Sequence, residues 1–270
     1  MARLSINELT TYRWSFEEDV AQYKAAGIAA IGVWRQKLAD FGEEKGIELL
    51  ADTGLEVSNL QWAGGFTGSD GRTYRDSVED ATDAVRTAAA MKARALILYT
   101  GGRGGHTHNH ARRLMLGAVR ELVPLATELQ VTLAVEPMHP GCGSEWTFLT
   151  GLDDALALLD EIDSPRVKLA FDTYHLGQEE GVVQRLAEVA GRIAVVHLGD
   201  TRQPPTHEQN RCLLGEGTLP LREMIAALTA AGYDGFYDVE LIGEDIEQRD
   251  YDELLAHSVR AFEQLTAGAG

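Results

Sequence analysis

The chain has 270 residues, of which 44% are hydrophobic and 24% charged, and its formal net charge at pH 7 is −18. This length suits one α/β barrel with a core that needs no disulfides. The negative field opposes binding to nucleic acid or to an anionic membrane surface, and no apolar run reaches the roughly 18 residues of a transmembrane helix.

Short β-rich runs alternate with amphipathic segments along the whole chain. The candidate strands are residues 4–7, 29–34, 56–62, 95–100, 132–136, 167–172, 193–197 and 235–240. Between them, apolar residues recur at spacings of three and four, which predicts helices. Ser15 and Glu18 have the spacing of a capping box that begins the first helix. Four glycines stand where helices should end before a strand: Gly27, Gly54, Gly191 and Gly232.

Eight strand–helix units in 270 residues predict a single (β/α)8 barrel that forms one domain over residues 1–270. A doubly wound open sheet is the alternative. It would normally carry a glycine-rich nucleotide turn after the first strand, and this chain has none there.

Four predicted strands end on a side chain that can bind a metal ion: Glu136, Asp172, His197 and Glu240. Strict alternation places Ala170, Ile193 and Val195 on the inward face with them. A single acid or histidine at a strand end is more often a cap or a surface residue. Four on consecutive strands of a barrel converge on one ring, which predicts a site for one divalent cation. Three carboxylates and an imidazole favour Mn²⁺, with Mg²⁺, Co²⁺, Fe²⁺ or Zn²⁺ as alternatives.

With these motifs the chain resembles the xylose isomerase-like barrels of the sugar isomerase and epimerase superfamily, which include ketose 3-epimerases, hydroxypyruvate isomerase and inosose dehydratase. The resemblance extends over nearly the whole chain and is densest in EPMHP (136–140), FDTYH (171–175), VVHLGD (195–200), NRCLLGEG (210–217) and GYDGFYDVEL (232–241). It implies a barrel enzyme with one divalent cation.

The resemblance also implies roles for individual residues. The four strand-end residues would be the metal ligands, and Glu136 and Glu240 would also exchange protons with the sugar. His175 and Arg211 would bind substrate. One departure is Cys142, which stands where ketose epimerases have a further substrate-binding glutamate. A second is the absence of the extra histidines with which the related DNA-repair endonuclease IV binds three zincs, so one metal is expected.

The function that these features predict is a metal-dependent isomerase or epimerase that removes a proton next to the carbonyl of a keto sugar or related polyol. The alternative is a metal-dependent lyase, either an inosose-type dehydratase or a 3-oxo-glycoside eliminase. A sugar-binding barrel without catalysis is opposed by the intact ligand residues. DNA repair is opposed by the net charge. The expected partner is a small carbohydrate. The sequence leaves open whether the protein forms a homo-oligomer.

Other residues carry weaker expectations. His139 is a candidate substrate contact, with a structural hydrogen bond as the alternative. The segment GGRGGHTHNH (101–110) is predicted to be a mobile lid, with a second metal site at its histidines as the alternative. Trp34, Trp62 and Trp146 lie near strand ends and could stack on a sugar or an apolar aglycone, or be buried in the core. His207 and Glu208 are expected at the surface. With only two cysteines and no signal-peptide pattern, a cytoplasmic location is expected.

Overall fold

All eight predicted β-rich runs form strands of one closed parallel barrel in the computed structural model, which describes residues 2–206 and 210–267. His207 and Glu208 lie outside the described residues. A short antiparallel pair, β8 (Asp200–Thr201) and β9 (Arg211–Cys212), follows the seventh barrel strand. The barrel strands are β1 (Arg3–Asn7), β2 (Ala30–Trp34), β3 (Glu56–Gly64), β4 (Leu96–Tyr99), β5 (Leu133–Val135), β6 (Val167–Asp172), β7 (Ile193–Leu198) and β10 (Phe236–Val239).

Helices surround this barrel, so the fold is a (β/α)8 barrel. Among the helices of residues 2–206 and 210–267, none combines the length and the apolar character of a membrane span. They are α1 (Phe16–Ala25), α2 (Arg35–Phe41), α3 (Glu43–Thr53), α4 (Tyr74–Ala90), α5 (His108–Glu128), α6 (Pro140–Gly143), α7 (Leu152–Ile162), α8 (Thr173–Leu176), α9 (Val182–Val189), α10 (Leu221–Ala230), α11 (Glu244–Glu247) and α12 (Tyr251–Thr266).

The helix ends follow the predicted chemistry with one exception. Ser15 caps α1 with the full capping box, since its hydroxyl accepts from the Glu18 amide and its own amide donates to Glu18 Oε2 at 2.7 Å. Three of the four junction glycines adopt positive φ, as helix ends require. The fourth, Gly191, lies instead inside a 3-10 turn (Ala190–Arg192).

Two apolar layers hold the barrel. The larger fills the space between the strands and the helices. The smaller fills the lower barrel interior, mostly with small or branched side chains, among them Ala170 and Val195 as predicted. Ile193 was expected to point inward with them, and this is wrong: it packs in the outer layer. The register of β6 against β7 shifts there, because Leu169 pairs with Ile193 but Ala170 pairs with Val195. The extra residue reverses the alternation below that point.

A polar layer lies above the inner apolar one and below the strand tips. The buried Asp238 side chain accepts hydrogen bonds from Asn7 Nδ2 at 2.8 Å, Asn59 Nδ2 at 2.7 Å and Ser58 Oγ at 3.2 Å. Gly32 makes room for this group, since a Cβ there would lie 2.3 Å from Asp238 Oδ2. Along β10 the inward face therefore runs from apolar through polar to the carboxylate at the tip.

Candidate active site

The four predicted metal ligands lie together at the C-terminal mouth of the barrel. Glu136 directly follows β5, Asp172 ends β6, His197 lies in β7 and Glu240 directly follows β10. These four strands are neighbours around the barrel, and Asp172 pairs in register with His197. All four side chains are buried. The convergence of parallel strand ends thus produces a compact acidic cluster from residues that are up to 104 positions apart in the sequence.

The cluster is held by close polar contacts. His197 Nδ1 lies 3.0 Å from Glu136 Oε1 and 3.3 Å from Glu240 Oε2. Arg211 joins the cluster from β9, with Nη2 2.9 Å from Asp172 Oδ2 and 3.1 Å from Glu240 Oε1. Glu136, Asp172 and His197 each offer a ligand atom, and these atoms lie within 4.8 Å of one another. This spacing is compatible with a shared cation.

Burial and charge act in opposite directions on these groups. Burial by itself would raise the pKa of Asp172, but the charge of Arg211, together with that of His197, outweighs it and lowers that pKa. For Glu240, burial prevails over the attraction of Arg211 and raises the pKa. His197 shows the opposite balance: burial opposes its protonation, but the Glu136 and Glu240 carboxylates raise its pKa to about 10. The shift of the His197 pKa thus reports the negative charge of the two carboxylates beside it.

The donor set fits a divalent cation. Three buried carboxylates stand against one guanidinium, that of Arg211, which leaves two negative charges without a permanent positive partner. Buried carboxylates without compensation are costly. A divalent cation supplies two positive charges, and carboxylate oxygens with one imidazole nitrogen are ligands that such ions accept.

His175 and Arg211 lie where a substrate would touch the cluster, since both line the cavity above it. His175 Nδ1 accepts a hydrogen bond from the His139 amide at 3.3 Å, and its Nε2 lies 3.8 Å from Asp172 Oδ2. Burial lowers the pKa of His175 to about 4. At neutral pH this imidazole is therefore uncharged, with its proton assigned to Nε2 by the hydrogen bond at Nδ1.

His139 has a different environment. Its Nδ1 accepts from the Gly141 amide at 3.0 Å, which caps the short helix α6. It is not among the described residues that line the cavity. The structural hydrogen bond named as the alternative is therefore present, and the substrate-binding role of His139 stays a prediction.

A cavity of about 470 Å³ opens above the cluster. One side of it consists of the carboxylates Glu136 and Glu240 with His175 and Arg211. Much of the rest is aromatic, and the rings form a continuous series of contacts with centroids 5.5 to 6.3 Å apart. The aromatic wall consists of Tyr12, Trp34, Trp62, Tyr99 and Trp146.

Among the residues of this site that sequence reasoning missed are Gln61, Tyr12 and Tyr99. Gln61 Nε2 donates to Glu240 Oε2 at 2.7 Å and so orients that carboxylate. It lies near the end of β3, so the strand-end rule that found the four ligands would also have found it. Tyr12 and Tyr99 belong to the aromatic wall. Tyr99 ends β4, but Tyr12 lies in an irregular segment after β1 and carries no sequence signal.

The histidines of segment 101–110 lie away from the cluster. His106 Nε2 contacts the Thr67 carbonyl at 3.2 Å, while His108 and His110 lie in the first turn of α5. None of the three is among the described residues that line the cavity. Within residues 2–206 and 210–267, one group of acidic and histidine side chains has metal-binding spacing. It consists of Glu136, Asp172 and His197.

The chain is similar in sequence to a family of barrel proteins and to several characterised enzymes. A family described as xylose isomerase-like TIM barrel matches residues 20–265. A D-psicose 3-epimerase from Enterocloster bolteae is 33% identical over 118 residues, which is 43% of this chain and 36% of that enzyme. An L-ribulose 3-epimerase from Mesorhizobium japonicum is 25% identical over 99% of this chain and 89% of that enzyme.

The matched segment is short in several of these relatives. In three curated sugar epimerases the match spans only 31% to 46% of their own length. A solved structure, protein SMc04130 from Sinorhizobium meliloti 1021, superposes with a TM-score of 0.90 at 28% identity, over 97% of this chain and 98% of that one. The similarity thus extends over the whole barrel, and the curated relatives named here are sugar epimerases.

Proposed function

We propose, from the premise that this chain belongs to the xylose isomerase-like TIM barrel family, that it is a metal-dependent epimerase or isomerase. Its substrate would be a keto sugar or related polyol, and the reaction begins with removal of the proton next to the carbonyl. The observation that carries the proposal is the contact of two carboxylates, Glu136 and Glu240, with His197 at the floor of a cavity of sugar-binding size.

The residues proposed to hold the cation are Glu136, Asp172, His197 and Glu240. Mn²⁺ is the preferred ion, with Mg²⁺, Co²⁺, Fe²⁺ and Zn²⁺ as alternatives. When bound, a divalent ion acts as a Lewis acid that stabilises negative charge on the carbonyl oxygen of the substrate. Arg211 keeps Asp172 and Glu240 in place through its two ion pairs and by stacking 4.5 Å above the Tyr174 ring.

Glu136 and Glu240 are proposed to move the protons. Both line the cavity, and they approach its floor from different strands, on either side of His197. One carboxylate removes the proton from carbon, and the other returns a proton to the opposite face, which inverts the centre. Gln61 orients Glu240 by its hydrogen bond to Oε2. The uncharged His175 donates its Nε2 proton to a substrate oxygen.

Replacing Glu240 with glutamine tests this assignment. Glu240→Gln keeps an oxygen for the cation but removes the base, so turnover of a responsive keto sugar should fall by at least about 10²-fold. Proton NMR in D₂O measures the result, because solvent deuterium enters the carbon beside the carbonyl when the base acts. The control is Glu188→Gln, on the exposed surface of α9, which should exchange like the unaltered protein. Near-normal exchange in Glu240→Gln would place the base elsewhere.

The same spectra separate epimerase from lyase chemistry. Epimerisation retains every oxygen of the sugar and changes one stereocentre. Elimination releases water or an aglycone and leaves a double bond. A product that has lost either group would assign the chain to the lyase alternative on the same site.

A further inference from the structure

The aromatic wall of the cavity is larger than proton transfer on a free sugar requires. Three of the four tryptophans of the chain belong to it. Among the described residues, the large hydrophobic side chains with the greatest exposure are Tyr12, 49% exposed, and Trp146, 43% exposed, and both lie in this wall. Exposed apolar surface of this extent around a pocket is characteristic of a ligand-binding surface.

The wall has an inner and an outer part. Trp62 is partly buried and packs against the apolar layer inside the barrel. Tyr12 and Trp146, through their contacts with Trp34 and Trp62, carry the wall outward to solvent. A sugar bound at the carboxylates therefore meets the inner part, and a group attached to that sugar meets the outer part.

The size of the cavity agrees with a ligand larger than a monosaccharide. Its volume of about 470 Å³ lies in the range of about 300–1,000 Å³ that holds drug-sized ligands. A free pentose or hexose would leave the outer aromatic rings exposed.

The charges at the cavity oppose a phosphorylated sugar. Of the described residues that line it, Arg211 is the one that carries a permanent positive charge, and its guanidinium already pairs with Asp172 and Glu240. A third acidic side chain, Glu247, also lines the cavity. Phosphate recognition relies on positive groups directed at the anion, and this lining instead adds a further negative one.

We infer that the substrate is a keto sugar glycoside with an uncharged aromatic aglycone, which stacks on Tyr12, Trp34 and Trp146 while the sugar ring lies over the carboxylates. The inference rests on the proposed function, because it assumes that the sugar binds at Glu136 and Glu240. Aromatic rings that stack on side chains of this kind gain affinity beyond the area they bury.

Calorimetric titration of the metal-loaded protein tests the inference with matched ligands. Phenyl 3-oxo-β-D-glucoside should bind about 10-fold more tightly than methyl 3-oxo-β-D-glucoside, and D-fructose 6-phosphate should bind more weakly than either. In Trp146→Ala the phenyl preference should shrink to within about 3-fold, while methyl glycoside binding is kept. Tyr12→Ala provides a second, independent variant. Trp14→Phe is the control, since Trp14 packs on Tyr251 outside the cavity lining.

Equal affinity for the two glycosides, or tighter binding of the phosphate ester, would overturn the inference. Deuterium exchange in D₂O, measured on the same glycosides, distinguishes a failure of this inference from a failure of the proposed function. A phenyl preference without exchange supports the substrate class and contradicts the epimerase proposal. Exchange on free ketoses without a phenyl preference supports the epimerase proposal and contradicts the substrate class.

Discussion

Glu8 carries a buried carboxyl that is not part of the acidic cluster. Its Oε2 accepts a hydrogen bond from the Trp34 amide at 2.6 Å, so it supports the aromatic wall from behind. Asp19, whose charge acts on Glu8, is itself paired with Lys37 at 2.6 Å. Burial, reinforced by the charge of Asp19, raises the pKa of Glu8 well above its ordinary value of 4.5. Glu8 therefore keeps its proton in the folded protein to a higher pH than an exposed glutamate does.

Glu8→Gln should consequently fold and change the dependence of stability on pH. Glutamine has the shape of protonated glutamate but cannot ionise, and its amide oxygen can accept from the Trp34 amide as Glu8 Oε2 does. In the unaltered protein, folded Glu8 keeps a proton that the unfolded chain releases above about pH 4.5. Stability is therefore lost as pH rises from that value towards the folded pKa. Over this range the free energy of unfolding of Glu8→Gln should increase relative to that of the unaltered protein. The difference between the two proteins should grow by up to about 1.4 kcal/mol per pH unit.

Urea denaturation at pH 5, 6 and 7 measures this difference, with the exposed Glu188→Gln as the matched control. Parallel profiles for Glu8→Gln and the unaltered protein would mean that Glu8 is ionised in the folded state. That result would contradict the raised pKa of Glu8.

Helix α4 packs on β3, the strand that carries Gln61 and Trp62 into the site. Its first turn has a capping box: Thr73 Oγ1 accepts from the Asp76 amide at 3.2 Å, and Asp76 Oδ2 accepts from the Thr73 amide at 3.2 Å. Amides at the start of a helix have no partner within it, so these bonds stabilise the helix end.

Thr73→Ala should lower the free energy of unfolding by about 1 kcal/mol, the usual cost of losing such a cap. For a protein of this size that corresponds to a melting temperature about 2–4 °C lower. The control is Thr127→Ala, where the lost hydroxyl bonds only to the Val123 carbonyl of its own helix, and its effect should stay within about 0.5 kcal/mol. Equal losses in the two variants, measured by calorimetry, would argue against the capping contribution.

Removal of the proposed cation should destabilise the whole barrel, because the ligands come from four strands that are distant in sequence. An ion present at 1,000 times its dissociation constant stabilises the fold by about 4 kcal/mol. Chelation should therefore lower the melting temperature by several degrees and abolish deuterium exchange, and added Mn²⁺ should restore both. Asp172→Asn should lose most of the chelator effect. An unchanged melting curve, with no metal found by elemental analysis of active protein, would exclude the cation.

The sequence by itself determined the barrel and the positions of the acidic tips. Strand alternation and helical periodicity are local properties of the sequence, so they can be recognised without knowing which elements pack together. Because parallel strand ends share one rim, the four strand-end residues could be assigned to one site before any contact was known. The same reasoning did not extend to Ile193, since a one-residue register shift between β6 and β7 depends on the pairing of two strands.

Only the tertiary structure decided how the side chains pack around the acidic tips. Barrel closure brings Gln61 of β3 to Glu240, 179 positions later. Loop conformation adds Tyr12 to the wall and turns the ring of His139 to the start of α6. These contacts join residues that no local period relates, and their geometry follows from how loops pack once the barrel has closed. The sequence therefore indicated the floor residues and three tryptophans near strand ends, whereas packing decided that these tryptophans join Tyr12 and Tyr99 in one wall of the cavity.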